Sequence, residues 1–266
     1  MVHPDFWKIL DEAAARSFAL VLLTNGTLLS ERVCDRLASY PGLYYTSLSL
    51  YGAVAATHDS VTKVAGSFQR TIEGARGLKS RGVGVQLKFI LMKANASEAG
   101  AMLDLAEREE IVASIDPTIT GRYDGTMTSL TTRVDPQTLE GLYRGPLAGL
   151  LERGQRSDLE EDFFCMCARG NAAVSSSGDV YPCIATPLKA GNIREQRFPE
   201  IWKHSPVFNR IRGLRVADFK SCAPCGLRPW CRRSPGPPVI LHGDFTGIDP
   251  WVCREAEILK KIQNGS

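Results

Sequence analysis

Apolar positions in the first half of the chain follow two periods in turn. In PDFWKILDEAAARS, Phe6, Ile9, Leu10 and Ala13 recur at the spacing of one helical face; FALVLL, starting at Phe18, is then an unbroken apolar run of strand length that stops at TNGT. The order repeats: SERVCDRLASY before LYYTSLSLYG, GSFQRTIEGARGLKSRG before VGVQLKFILM, and SEAGAMLDLAEREE before IVASI. Repeated helix-strand units predict parallel strands, because each helical crossover returns the chain to the same end of the sheet. Strands that read as apolar on both faces predict a doubly wound sheet or part of a (β/α) barrel. In either architecture ligands meet the C-terminal ends of the strands, here residues 24–27, 49–52, 92–95 and 116–119.

Several polar residues at those ends have ordinary structural readings. Asn25-Gly26 is a turn dipeptide, His58-Asp59 can cap the helix that follows, and Cys34 inside an amphipathic helix reads as a small buried hydrophobe. Arg122 and Asp124 in GRYDG either face a substrate or close a turn.

Beyond about residue 150 the pattern changes to Gly, Pro, Cys and tight-turn signals, which places a domain boundary near Gly154 and divides the chain into residues 1–153 and 154–266. A net charge of +3 is spread along the chain with no Lys- or Arg-rich run, so nothing points to a nucleic-acid partner. No apolar run is long enough to span a bilayer, and MVHPDFWKIL lacks the basic head and apolar stretch of a secretory signal. The expected location is the cytoplasm, where structural disulfides are rare.

The cysteines then call for another explanation. Cys222, Cys225 and Cys231 fall within CAPCGLRPWC, and Cys253 is the next one along. Thiolates suit zinc or iron-sulfur clusters, and a C-x2-C turn can aim two sulfurs at one centre. These four form one complete four-thiolate set. Upstream, CMCARGNAAVSSSGDVYPC carries Cys165, Cys167 and Cys183, with Ser177-Gly178 as the turn of a hairpin that returns Cys183 to Cys167. A zinc ribbon normally has two C-x2-C knuckles, whereas this chain has one, a cysteine after five intervening residues and a distant single ligand. Spacing favours a cluster and leaves zinc open.

The order Cys167, Gly178, Cys183, then Cys222-x2-Cys225-x5-Cys231 and Cys253, with GDVYPC, AGNIRE and EIW between, resembles the SPASM domain of radical S-adenosylmethionine (SAM) enzymes. HPDFWKIL, LLTNGTLLS, SLSLYGA, HDSVTKVAGSF and LMKAN resemble the middle of the radical SAM barrel. The resemblance implies an incomplete (β/α) partial TIM barrel followed by a small Cys-rich SPASM domain with one or two auxiliary 4Fe-4S clusters. It implies that Asn25 and Ser49 line a SAM pocket. Cys222, Cys225, Cys231 and Cys253 match the ligands of the second auxiliary cluster. Cys167 and Cys183, with Cys165 as upstream partner, match the first. It also implies a peptide or protein substrate, modified through a 5'-deoxyadenosyl radical, and a reductant such as a flavodoxin or ferredoxin.

Two departures limit what the resemblance implies. Shortly after Cys231, where the family carries another cysteine, this chain reads RRSPG with Ser234, so the first auxiliary site has three thiolates. The C-x3-C-x2-C motif of the SAM-cleaving cluster does not occur in the 266 residues. In the family HPDF follows closely after a Gly-Gly-Glu-Pro motif. The expectation is therefore that Met1 is an internal methionine, that two strands and the cluster loop lie upstream, and that this chain alone does not cleave SAM. A non-catalytic iron-sulfur or zinc-binding, peptide-binding module is the alternative.

Overall fold

A computed structural model describes residues 2–151 and 165–265. The described residues form two compact units, one running to Thr118 with Thr132–Val134, the other made of Ile119–Thr131 and the residues from Asp135 on. The boundary expected at Gly154 lies outside the described residues.

The first unit runs α1 (Phe6–Ala15), β1 (Leu20–Thr24), α2 (Glu31–Ala38), β2 (Leu43–Leu50), α3 (Ala55–Thr62), α4 (Ser67–Lys79), β3 (Val85–Ile90), α5 (Ala99–Arg108) and β4 (Val112–Asp116). The strands pair in parallel in the order β1-β2-β3-β4, as the repeated units predict. Register separates the two faces. Leu48, Leu50, Leu87 and Phe89 share one face and pack with Ile72 and Ala75 of α4 and Met102, Leu105 and Ala106 of α5. The opposite face carries Ser47 and Ser49 of β2, Gln86 and Lys88 of β3, and Ser114 and Asp116 of β4. There Ser47 Oγ donates to Gln86 Oε1 at 3.0 Å, and Lys88 Nζ lies 3.1 Å from Asp116 Oδ2. An apolar face under the helices backed by a polar one is the arrangement of a barrel wall with a ligand side, whereas a doubly wound sheet buries both faces under helices.

Two expectations fail in detail. FALVLL reads as a strand buried on both sides, but β1 is an edge strand on which Val21 and Leu23 are exposed. In α1, Leu10 packs inward as expected, but Ile9 is exposed and Trp7 supplies the other packing contact. Trp7 packs against Cys34, Leu37 and Leu78, and the Arg36 guanidinium lies 4.1 Å over its ring.

The short helix α3 has no strong apolar period, and its role comes from two polar side chains. His58 is buried and its Nδ1 accepts from Tyr51 N at 3.2 Å, which holds the chain as it leaves β2. Asp59 caps the next helix: its carboxylate accepts from Gly66 N at 2.6 Å, Phe68 N at 2.9 Å and Ser67 Oγ at 2.9 Å. These bonds, the one from Phe68 first, hold the Asp59 carboxyl below its ordinary range. A depressed folded pKa contributes stability present above the unfolded pKa and lost as pH falls through the folded pKa. Asp59→Asn is therefore expected to lower the urea midpoint at pH 7, with the difference from the native chain closing as pH drops below the carboxylate range. Equal midpoints at pH 7 would show that the charge contributes nothing.

The second unit contains α6 (Pro136–Arg144), α7 (Ala148–Leu151), β5 (Ala173–Val174), β6 (Asp179–Tyr181), β7 (Gly191–Asn192), α8 (Phe198–His204), α9 (Pro206–Gly213), α10 (Gly236–His242) and α11 (Pro250–Gln263). Strands β5, β6 and β7 are antiparallel and very short. The core is correspondingly small: Val180, Ile201, Phe208, Ile211, Phe219, Val239 and Phe245 surround Cys167 and Ala168. Helix α11 is tied to α6 by the hydroxyl of Tyr143, which donates to Glu255 Oε1 at 2.6 Å between two buried side chains. The GRYDG segment belongs to this unit and closes a turn. Gly125 N donates to Arg122 O at 3.0 Å, Arg122 N to Thr126 O at 2.9 Å, and Asp124 Oδ1 accepts from Thr126 N at 2.8 Å.

Candidate metal centre

Three separate segments deliver the four C-terminal cysteines to one place. Phe219, buried in the small core, anchors the first: its carbonyl accepts from Cys222 N and Ala223 N, both at 2.8 Å, and Cys222 O accepts from Cys225 N at 3.1 Å. The resulting turn aims the C-x2-C pair inward. A 3₁₀ turn over Arg228–Trp230 then presents Cys231. Cys253 sits in the first turn of α11, which starts with Pro250 and is capped by Asp249, whose Oδ1 accepts from Trp251 N at 2.9 Å. Trp230 Nε1 donates to Gln263 Oε1 near the far end of that helix, and Lys260 Nζ lies 5.4 Å over the Trp230 ring, so α11 and the Cys231 turn are held together.

Cys222, Cys225, Cys231 and Cys253 all line one cavity of about 100 Å³, with Leu227, Ile248 and Ala256 as its apolar wall. One water-sized probe needs only about 10–15 Å³, so the thiols surround room for a polynuclear group. Among the described residues no three Cys, His, Asp or Glu side chains meet about one point as a single metal ion needs. Burial, then the neighbouring thiols of Cys231, Cys222 and Cys225, push the Cys253 thiol up to about 11. Cys231 is also raised, again chiefly by burial. The raised thiols of Cys231 and Cys253 are relieved by a positively charged centre that binds them as thiolates.

The other three cysteines gather at the base of the β5-β6 hairpin. Gly178 takes φ +89 in its turn, a conformation that favours glycine, and the returning strand sets Cys183 Sγ 3.1 Å from Cys167 Sγ. Cys167 interacts with Cys165 and Cys183 together. Cys167 Sγ donates to Cys183 Sγ, and hydrogen bonding with Cys167 lowers the Cys165 thiol to about 7 and the Cys183 thiol to about 6, while the Cys167 thiol itself is pushed up. The loop is tightly held: Ala168, fully buried, adopts φ +57, its N–H is bonded to Asn171 O and Pro182 O, and its carbonyl accepts from Arg212 Nε at 2.7 Å. The oxygen beside these sulfurs is Thr186 Oγ1, in a fully buried side chain, 3.2 Å from Cys183 Sγ and 3.9 Å from Cys167 Sγ.

In the first unit, Asn25 is exposed and its Oδ1 accepts from Thr27 N at 3.2 Å and Thr27 Oγ1 at 3.1 Å, so the side chain shapes its own turn. Gly26 is required there, because a Cβ would lie 2.4 Å from Leu48 and φ is +76. Ser49 is half-buried on the polar face of the sheet, in register with Lys88. Cys34 is fully buried among apolar side chains, as its position in an amphipathic helix predicts.

Sequence reading missed several residues at both places. Asn95, fully buried, donates to Tyr51 O and Ile90 O and accepts from Met92 N, while Glu98 accepts from Ala53 N at 2.7 Å and from the Thr57 hydroxyl. Together they fix the loops that follow β2 and β3. Thr186 and Arg233 are the residues missed among the thiols. LMKAN and ASE carried the first signal only as polar residues at a strand end. The second had none that separates it from an ordinary turn.

The SPASM family, an iron-sulfur cluster-binding domain, matches residues 165–226, which hold Cys165, Cys167, Cys183, Cys222 and Cys225. The chain is 27% identical over 284 residues to an AdoMet-dependent heme synthase of Methanosarcina barkeri, covering 94% of this chain and 79% of that protein. It is 26% identical over 289 residues to a PqqA peptide cyclase of Xanthomonas euvesicatoria, covering 99% and 74%. In fold it is similar to Streptococcus suis SuiB bound to S-adenosylmethionine, with a TM-score of 0.64 and 19% identity over 92% of this chain and 62% of SuiB. These matches support a radical SAM/SPASM reading of the chain, with the SPASM domain itself matched over residues 165–226. The cofactors of radical SAM/SPASM proteins are 4Fe-4S clusters and SAM. The donor set fits the first of these: four thiols around a cavity of about 100 Å³ match the all-thiolate ligation of such a cluster. Among the described residues no helix is long and apolar enough to cross a membrane.

Proposed function

We propose that this chain carries a 4Fe-4S cluster on Cys222, Cys225, Cys231 and Cys253 and a second, three-thiolate site on Cys165, Cys167 and Cys183. Both serve the modification of a peptide or protein through a 5'-deoxyadenosyl radical. The observation that carries the reading is the convergence of the four cysteines, from three separate segments, on one cavity. The peptide substrate is supported by the relative named as a peptide cyclase, which this chain matches over 99% of its length. In this reading Asn25 and Ser49 lie on the SAM side of the sheet, where Ser49 stands on the polar face with Lys88 and Asp116. A flavodoxin or ferredoxin supplies the electrons. The 266 residues contain no C-x3-C-x2-C loop, and by themselves they bind clusters without cleaving SAM.

The reading is tested by iron, sulfide and zinc analysis of anaerobically purified and reconstituted protein. The expected result is at least four iron and four sulfide per chain on the ligation of a cubane cluster, with no zinc. Stoichiometric zinc without sulfide would instead make the second unit a zinc-bound structural module.

A further inference from the structure

A buried guanidinium stands between the two sets of thiols. Arg233 lines the cavity of Cys222, Cys225, Cys231 and Cys253 and is only 7% exposed. Its Nη2 donates to Phe245 O at 2.6 Å and to Gly247 O at 2.9 Å, and its Cζ lies 4.6 Å over the Phe219 ring. Its charge interacts with Cys222, Cys165 and Cys231. Cys165 belongs to one set, Cys222 and Cys231 to the other. Its backbone N–H is bonded to Cys231.

Two backbone carbonyls and an aromatic face fix where this side chain sits, since the planar fork of arginine loses little freedom once pinned. Neither is an anion, and a desolvated cation is best balanced by negative charge close by. A cluster held by four thiolates supplies that charge. Reduction adds an electron to the same centre, and in a low-dielectric site a fixed cation beside a ligand sulfur favours the reduced state.

We propose that Arg233 is a positioning residue that holds a fixed positive charge against Cys222 and raises the reduction potential of the cluster on Cys222, Cys225, Cys231 and Cys253. The inference rests on the cluster reading above. The experiment is a dithionite titration of the anaerobically reconstituted full chain followed by electron paramagnetic resonance, with iron and sulfide measured first. The signal lost in Cys225→Ala identifies the cluster concerned. In Arg233→Met, which keeps an apolar stem and removes the charge, iron and sulfide are expected to be unchanged. At a poise where the native cluster is half reduced, the reduced-to-oxidised ratio should fall about tenfold, equivalent to 59 mV for a one-electron couple. Arg233→Lys should recover most of that loss. If Arg233→Met loses its iron, Arg233→Gln reads the same potential with carbonyl-directed donors retained. Loss of the cluster from both neutral variants but not from Arg233→Lys also supports the charge. An unchanged potential in an intact neutral variant, or loss of iron from all three variants, assigns Arg233 to packing and overturns the proposal. A native protein without iron and sulfide defeats the cluster reading itself.

Discussion

Replacing any one of Cys222, Cys225, Cys231 or Cys253 by alanine is expected to remove one cluster's worth of iron and sulfide from the reconstituted protein and to destabilise the second unit. The four cysteines arrive on three pieces of chain: Cys222 and Cys225 on the turn under Phe219, Cys231 after the 3₁₀ turn over Arg228–Trp230 and Cys253 on the first turn of α11. With strands of two or three residues and a small core, that unit has little other means of holding those pieces together. A bound cluster cross-links them and closes the loop from Cys222 to Cys253. For a loop of that order, cross-linking removes roughly 3–4 kcal/mol of chain entropy from the unfolded state, and metal binding of this kind is folding free energy. The measurement is iron and sulfide content together with thermal unfolding of each variant under anaerobic conditions. Variants that keep native iron, or native protein that holds zinc without sulfide, would sink the assignment. Cys34→Ala is the control, since Cys34 packs among apolar side chains in the other unit and should leave the iron content unchanged.

What could be read from the sequence is what depends on local pattern. Helix-strand alternation led to the four parallel strands, and the spacing of CAPCGLRPWC together with Cys253 led to the four thiols that share one cavity. Periodicity fails where a residue's surroundings come from elsewhere in the chain. Ile9 has the right spacing for an inward face, yet it is Trp7 and Leu10 that meet the cluster of Cys34, Leu37 and Leu78. Val21 and Leu23 look buried because apolar content is high, but register places them on the face of Ser47 and Ser49, opposite the helices, where they are exposed. Arg232 and Arg233 are identical neighbours in the sequence, and only the fold separates them into an exposed Arg232 and a buried Arg233. Thr186 was invisible for the same reason. Its hydroxyl matters because the hairpin folds Cys167 and Cys183 back to it.

Reconstituted with iron and sulfide and supplied with SAM and a strong reductant, this 266-residue chain is expected to form no 5'-deoxyadenosine above a protein-free control. Reductive cleavage of SAM needs an iron with an open coordination position, to which the amino and carboxylate groups of SAM can chelate. A cluster held by Cys222, Cys225, Cys231 and Cys253 has each iron taken by a thiolate and offers no such position. The three-thiolate site is the competitor. There Cys165, Cys167 and Cys183 leave one position to another donor, and the buried Thr186 hydroxyl stands 3.2 Å from Cys183 Sγ on that side. A buried, closely packed setting of this kind leaves little room for a nucleoside, whereas the polar face with Ser49, Lys88 and Asp116 lies on the unit that contributes none of the cluster-binding cysteines. A polypeptide in which these residues follow a C-x3-C-x2-C loop and two further strands is expected to form 5'-deoxyadenosine, because the loop leaves one iron open and the strands complete the wall beside β1. The measurement is chromatographic quantitation of 5'-deoxyadenosine over time. Product from the 266-residue chain that depends on SAM and disappears in Cys167→Ala would show that the three-thiolate site performs the cleavage itself. Its role would then be that of the radical generator rather than an auxiliary centre.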